Sequence, residues 1–534
     1  MSGSLTGWQK RVRRGVGILA AMVLILGVTA MSASGGEERN HDRPGRGPVV
    51  ATDTGPVRGL ATKGTESYLG IPYAAPPEGH LRWRPPQPAT RWHGVRDATR
   101  YAPHCAQGES AFGTASTSED CLYLNVFGPA HRGRRHQLPV IVWFHGGSLA
   151  RGESDGFDPT GLVRNGVIVV TVNYRLGALG FMATPGLAAE QGGHAGNYGI
   201  LDQQAALRWV QRNVGGFGGD PSNVTIAGES AGGLSVLTHL ASPLSHGLFH
   251  KAIVQSGTYA RTQAPQATAE QAGERFAAAV GCADQGIACL RRLPVSKVLA
   301  NQRTGYVPNI DGRVLTQTLD SAFAAGEFNR VPVLNGTNHD EWRLIVAILH
   351  VLAGNPVTAD NYSSQFGVPD ATAEAIVARY PLGDYASPAL ALGSVGTDRV
   401  YACTALSTNT MLSKYVPTYA YEFNDPQAPQ VFLPPAGGFP YGAAHASELQ
   451  YLFNLNNVDH PTTLNPAQQR LASAMRAYWT NFAKRGSPNG SGTPSWPRFD
   501  DTTGAVQSLV PSGPRTETDF AAEHKCDFWS SPTG

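Results

Sequence analysis

The chain has 534 residues, 41% of them hydrophobic and 15% charged, with a formal net charge of +2. So even a balance leaves no basic footprint for nucleic acid. Length alone allows three or four domains at ~150 residues each, although large α/β enzymes exceed that prior as one domain.

Residues 1–34 read as an export signal. Lys10, Arg11, Arg13 and Arg14 form a basic start, residues 15–30 are apolar, and small residues follow at Val28-Thr29-Ala30 and Ser32-Ala33-Ser34. The apolar run falls short of the ~20 residues of a membrane span. Secretion is therefore expected, with no stable membrane insertion once the signal is removed; the export route stays open, since Arg13-Arg14 also permits a twin-arginine pathway. Residues 35–47, polar and glycine-rich, are expected to be a disordered linker. Residues 48–531 contain no repeat and no low-complexity break, which predicts a single catalytic domain.

Within that domain, strand-like and helix-like segments alternate, the pattern of an α/β fold with a large, mostly parallel sheet covered by helices on both faces. The runs at 140–144 (Val-Ile-Val-Trp-Phe) and 167–174 (Val-Ile-Val-Val-Thr-Val-Asn-Tyr) are continuously apolar, as central strands buried on both faces should be. Leu201, Ala205, Ala206, Trp209 and Val210 recur at helical spacing. Further strands are expected at 252–255, 331–336 and Thr418–Phe423, and a late helix at Pro466–Arg485.

Residues 224–233 (Val-Thr-Ile-Ala-Gly-Glu-Ser-Ala-Gly-Gly) join a β-type run to a helix start through Gly-x-Ser-x-Gly. That is the form of a nucleophile elbow, with Ser230 held at the tip of a sharp turn in a sparsely populated backbone conformation. Gly228 and Gly232 flank it because side chains there would collide as strand and helix cross. His145-Gly146-Gly147-Ser148 follows directly on the strand at 140–144, the place of an oxyanion loop in an α/β-hydrolase. Six cysteines in an exported chain point to disulfides. Spacing suggests Cys282 with Cys289 and Cys105 with Cys121, leaving Cys403 with Cys526, but six cysteines allow 15 pairings. No Cys-x-x-Cys occurs and no histidine clusters with the cysteines, so no metal site is expected.

These motifs sit among blocks that resemble one family. Tyr68-Leu69-Gly70-Ile71-Pro72-Tyr73-Ala74, Leu81-Arg82-Trp83, Ser118-Glu119-Asp120-Cys121-Leu122, Asn173-Tyr174-Arg175-Leu176-Gly177 and Phe217-Gly218-Gly219-Asp220-Pro221 precede the elbow in the order seen in type-B carboxylesterases, the α/β-hydrolases that include the cholinesterases. The resemblance covers most of 48–531. It implies a serine carboxylesterase that takes a small-molecule ester and needs no cofactor. Glu341, in Gly336-Thr337-Asn338-His339-Asp340-Glu341, matches the family's acid, with Asp340 a lesser alternative. His445, in Gly442-Ala443-Ala444-His445-Ala446-Ser447-Glu448-Leu449, matches its base. Gly147, Ser148 and Ala231 correspond to the oxyanion amides and Gly146 to the turn before them. The pairings Cys105–Cys121, Cys282–Cys289 and Cys403–Cys526 match the family pattern, as do ion pairs Arg82–Glu119 and Arg175–Asp202.

The same analogy puts Glu229 in a buried hydrogen-bond network with Ser256, which reads equally well as a strand-end turn residue, and the walls of the substrate pocket on loops between roughly 340 and 440. Many relatives carry a third glycine where this chain has Ser148, so a narrowed acyl site is expected. Between Cys105 and Cys121 the only aromatic is Phe112, where cholinesterases carry a tryptophan for choline; a choline-ester specialist is not expected. A lipase or polyester hydrolase, and a non-catalytic binding protein on the same fold, are the alternatives. A histidine base predicts activity rising through a pKa near ~6.5.

Overall fold

Seven of the apolar runs lie side by side as parallel strands at the centre of an eleven-stranded sheet. The computed structural model describes residues 47–530 apart from 63, 131–136, 284 and 304; the expected signal and all but the last residue of the expected linker lie outside them. The strands are β1 (Leu60–Thr62), β2 (Thr65–Pro72), β3 (Tyr123–Pro129), β4 (Leu138–Phe144), β5 (Ile168–Val172), β6 (Gly219–Glu229), β7 (Lys251–Gln255), β8 (Val333–Asn338), β9 (Thr418–Phe423), β10 (Val506–Leu509) and β11 (Arg515–Glu517). They are ordered β11-β10-β9-β8-β7-β6-β4-β5-β3-β2-β1. From β5 to β10 every pairing is parallel, whereas the joints at β1–β2, β2–β3, β3–β5 and β10–β11 are antiparallel.

Side chains alternate across a strand, so an unbroken apolar run serves two cores at once. Val140, Val142 and Phe144 face one core with Ile168, Val170, Val172, Ile226 and Val254. Ile141 and Trp143 face the other with Val169, Ala227 and Ile253. Helices α1 (Tyr198–Asn213) and α2 (Ala231–Ala241) cover the first face through Leu207, Trp209, Val210, Leu234 and Leu237. The second is covered by a helix at Pro466–Arg485, whose Leu471, Met475, Tyr478, Trp479 and Phe482 recur at helical spacing.

That late helix, α3, has the bounds its sequence predicts. Asn465 accepts from the Gln468 amide at 3.0 Å while the Gln468 side chain accepts from the Asn465 amide at 2.9 Å, a complete capping box with Pro466 in the first turn. At the other end Gly486 adopts φ 72° and returns its amide to the Phe482 carbonyl.

The six cysteines pair as Cys105–Cys121, Cys282–Cys289 and Cys403–Cys526. Arg82 pairs with Glu119, and Arg175 holds Asp202 with two 2.7 Å hydrogen bonds, both pairs buried. Among the described residues no helix is long and apolar enough to cross a membrane.

Candidate active site

The carboxyl ends of parallel strands are where α/β sheets expose a crevice, and the sequence-predicted site residues gather there. Ser230 follows β6 and caps α2 with φ 55° and ψ −118°, a conformation that costs a non-glycine residue about 1–3 kcal/mol. The turn closes this tightly because its neighbours lack side chains. A β-carbon on Gly232 would stand 1.9 Å from the Phe144 carbonyl oxygen, and one on Gly228 would stand 2.4 Å from the Gly232 carbonyl carbon.

The loop after β4 packs against the elbow in the same manner. A β-carbon on Gly146 would lie 2.7 Å from Glu229 Oε2 and 3.2 Å from Ser230 Cβ. Gly147, Ser148 and Leu149 all take positive φ, at 97°, 57° and 55°. The Gly147 and Ser148 amides donate to no acceptor among the described residues. The Ala231 amide opens α2, where no intrahelical acceptor exists. Three donors are thus available at the crevice. His145 braces this loop: its ring stacks on Tyr174 at 4.5 Å and its Nδ1 donates to the Gly146 carbonyl at 2.9 Å. Burial pushes its imidazole down to about 4, so it stays neutral.

Glu341, fully buried just beyond β8, accepts at Oε1 from the Thr337 hydroxyl and the Asn338 amide, both at 2.8 Å. Its Oε2 lies 2.5 Å from His445 Nδ1. The alternative acid, Asp340, is committed elsewhere, to Arg343, His339 and the Ala443 amide. His445 is therefore oriented by Glu341 and not by its neighbour.

The other imidazole nitrogen, Nε2, stands 3.2 Å from Glu229 Oε1. The Ser230 hydroxyl has no hydrogen-bond partner among the described residues, and His445 reaches the elbow through its approach to Glu229, the residue before Ser230. Burial pulls the imidazole down, but the charges of Glu229 and Glu341 and the hydrogen bond to Glu341 outweigh it and leave His445 at about 9. Burial also lifts the Glu229 carboxyl to about 8, opposed by His445 and reinforced by the charges of Glu448 and Glu341. Glu229 Oε1 and His445 Nε2 stand close without a hydrogen bond between them. The expected midpoint near ~6.5 accordingly moves upward, because the base sits among carboxylates.

One expectation is corrected. Glu229 and Ser256 do not bond: Glu229 Oε1 and Ser256 Oγ are both buried without a hydrogen-bond partner among the described residues. The buried network belongs instead to Glu448, three residues after His445, which accepts from Gln255 Nε2 at 2.9 Å and Asn338 Nδ2 at 2.7 Å, with Trp479 Nε1 donating to Gln255 Oε1 in turn. Its signal was in the sequence, as an acidic residue in the motif around His445, but nothing there told it from a surface charge.

A separate cleft lies at the loop after β4, lined by neither Ser230 nor His445. It opens beside Gly146, Gly147 and Glu229, with Phe112, Phe432 and Asn457 among its lining residues. Of the 340–440 segment only Phe432 reaches it; the remaining wall comes from 111–112, 145–157, 229 and 446–458. Loops at the ends of four different strands enclose the space, so no single stretch of sequence carries it. Phe112 packs on Phe432 at 5.3 Å, which gives the wall an aromatic face. Ser148 is exposed and does not line this cleft.

Comparison with known proteins agrees with the fold. The sequence model of the carboxylesterase family matches residues 46–529. The chain is 37% identical over 515 residues to a fumonisin B1 esterase of Sphingopyxis macrogoltabida, covering 92% of this chain and 91% of that protein. It is 34% identical over 502 residues to an acylcarnitine hydrolase of Mus musculus, covering 86% and 87%. It is 33% identical over 530 residues to a cocaine esterase of Homo sapiens, covering 92% of each.

Proposed function

This chain belongs to the carboxylesterase family, and from that premise we propose that it is a secreted serine esterase that cleaves small-molecule carboxylic esters through an acyl-enzyme on Ser230. His445, held by Glu341, takes the proton as the Ser230 hydroxyl attacks the ester carbonyl. The oxyanion rests on the Gly147, Ser148 and Ala231 amides, with Gly146 setting the turn that aims them. His445 then protonates the departing alcohol, and a water activated by the same imidazole releases the acid. These side chains and amides complete the chemistry, which calls for no cofactor.

The observation that carries this reading is the 2.5 Å contact between His445 and Glu341 beside a serine held at φ 55°. Catalytic hydrogen bonds commonly tighten only with substrate in place, which accommodates a Ser230 hydroxyl without a partner. The fumonisin B1 esterase, acylcarnitine hydrolase and cocaine esterase named above support an ester substrate with a sizeable alcohol or acyl part. The three disulfides and the basic-then-apolar N-terminus support export, and the sequence from 48 to 531 is read as one catalytic domain.

Replacing Ser230 with alanine should lower turnover of a short p-nitrophenyl ester on the order of 10⁶-fold while leaving the fold intact. An organophosphonate should label the parent protein at Ser230 and leave the variant unlabelled. A folded Ser230→Ala protein that hydrolyses the ester at a near-parental rate would remove the mechanism.

A further inference from the structure

Two imidazoles and two carboxylates meet outside the candidate active site, where the C-terminal segment crosses the ends of β8 and β9. His339 follows β8, Glu422 lies in β9, and Glu523 and His524 come from the segment that Cys526 ties to Cys403. One imidazole nitrogen or carboxylate oxygen of each of the four lies within 4.8 Å of those of the other three. His524 Nε2 stands 2.6 Å from Glu422 Oε1, and His339 Nε2 stands 3.1 Å from Glu523 Oε1.

We propose that this quartet binds one divalent transition-metal ion of the zinc class through the Nε2 atoms of His339 and His524 and the carboxylates of Glu422 and Glu523. Two imidazoles with two carboxylates suit Zn²⁺, whereas Mg²⁺ and Ca²⁺ take oxygen ligands. The surroundings are those of a ligand set. In a metal site each histidine donates its other ring N–H to a carboxylate, which fixes the ring for coordination. Here His524 Nδ1 donates to Asp398 at 2.6 Å and His339 Nδ1 to Asp340 at 3.1 Å. Those carboxylates are themselves held, Asp398 by the Tyr380 hydroxyl at 2.8 Å and Asp340 by Arg343 and the Ala443 amide.

Glu422 and His524 are buried, whereas His339 is half-buried and Glu523 exposed, so an ion reaches the set from the Glu523 side. A tetrahedron with bonds of ~2.1 Å has edges of about 3.4 Å. The exposed Glu523 side chain, the freest of the four, swings in to close the remaining gap. The ion would clamp the C-terminal segment to the two strand ends, with His339 two residues from Glu341.

The test uses tag-free full-length secreted protein, stripped with a chelator and titrated with Zn²⁺ by calorimetry and with Co²⁺ by visible absorption. One equivalent of Zn²⁺ per chain, the d–d bands of four-coordinate cobalt and a raised melting temperature are expected. Glu523→Gln, at an exposed position, and His339→Gln should each weaken Zn²⁺ binding about tenfold or more, with the metal-free Glu523→Gln melting temperature unchanged. No uptake by the parent protein would overturn the proposal. So would uptake that neither variant diminishes, which would move the ion to another group such as His104, Glu153 and Asp155. Equal binding of Mg²⁺ would overturn it as well.

Discussion

Glu229 carries a nearly buried carboxyl group to within 3.2 Å of the imidazole proposed as base. An ionised carboxylate there stabilises the imidazolium, so the neutral base becomes abundant only at higher pH. For the parent protein, log kcat/KM should rise with pH through an apparent midpoint above the ordinary histidine value of ~6.5. Glu229→Gln deletes that charge, favours the neutral imidazole and should draw the midpoint down. A pH series on both proteins with one soluble ester checks the sign, and an unmoved midpoint would mean that Glu229 does not set the base. The residue scale is also where the sequence was most and least informative. Ser230, Glu341 and His445 stood in motifs that could be quoted, because each motif is one contiguous stretch of sequence. The partners of Glu229 and Glu448 could not be read, because they depend on which side chains from β7, β8 and α3 meet in the interior.

Elements were legible where their ends carry local chemistry. Asn465, Pro466, Gln468 and Gly486 bracket α3, and the continuous apolar runs at β4 and β5 announced strands buried on both faces. The cleft wall was not legible, since loops have no period and Phe112 meets Phe432 across 320 positions of chain. One consequence belongs to this scale. Asn465→Ala removes the side-chain acceptor for the first turn of α3 and should cost about 0.5–2 kcal/mol. Since Trp479, the α3 residue bonded to Gln255 behind the site, lies about 20 Å along the helix from Asn465, kcat should hold. Urea unfolding monitored alongside esterase assays separates the two, and a large loss of kcat without loss of stability would contradict this picture.

At the scale of the molecule, the three disulfides constrain very different lengths of chain. Cys282 and Cys289 are 7 residues apart, whereas Cys403 and Cys526 are 123 apart. Loop-closure entropy assigns about 2 kcal/mol to the first and about 5 kcal/mol to the second. Replacing both cysteines of each pair by serine should therefore lower the denaturation midpoint far more for Cys403–Cys526. Equal shifts would mean that the unfolded chain is already restrained near Cys403.

The sheet also ends in a particular way. Its outermost strands, β1 and β11, are three residues each, and β11 reads Arg-Thr-Glu with Arg515 and Glu517 paired to one another. A second molecule seeking to zip its backbone onto either margin finds a row of free peptide groups scarcely 10 Å long, at ~3.4 Å per residue. A seven-stranded parallel centre is slow to assemble and exposes apolar strands while it does so. Once it has closed, these blunt margins keep concentrated protein from growing into fibrils edge by edge.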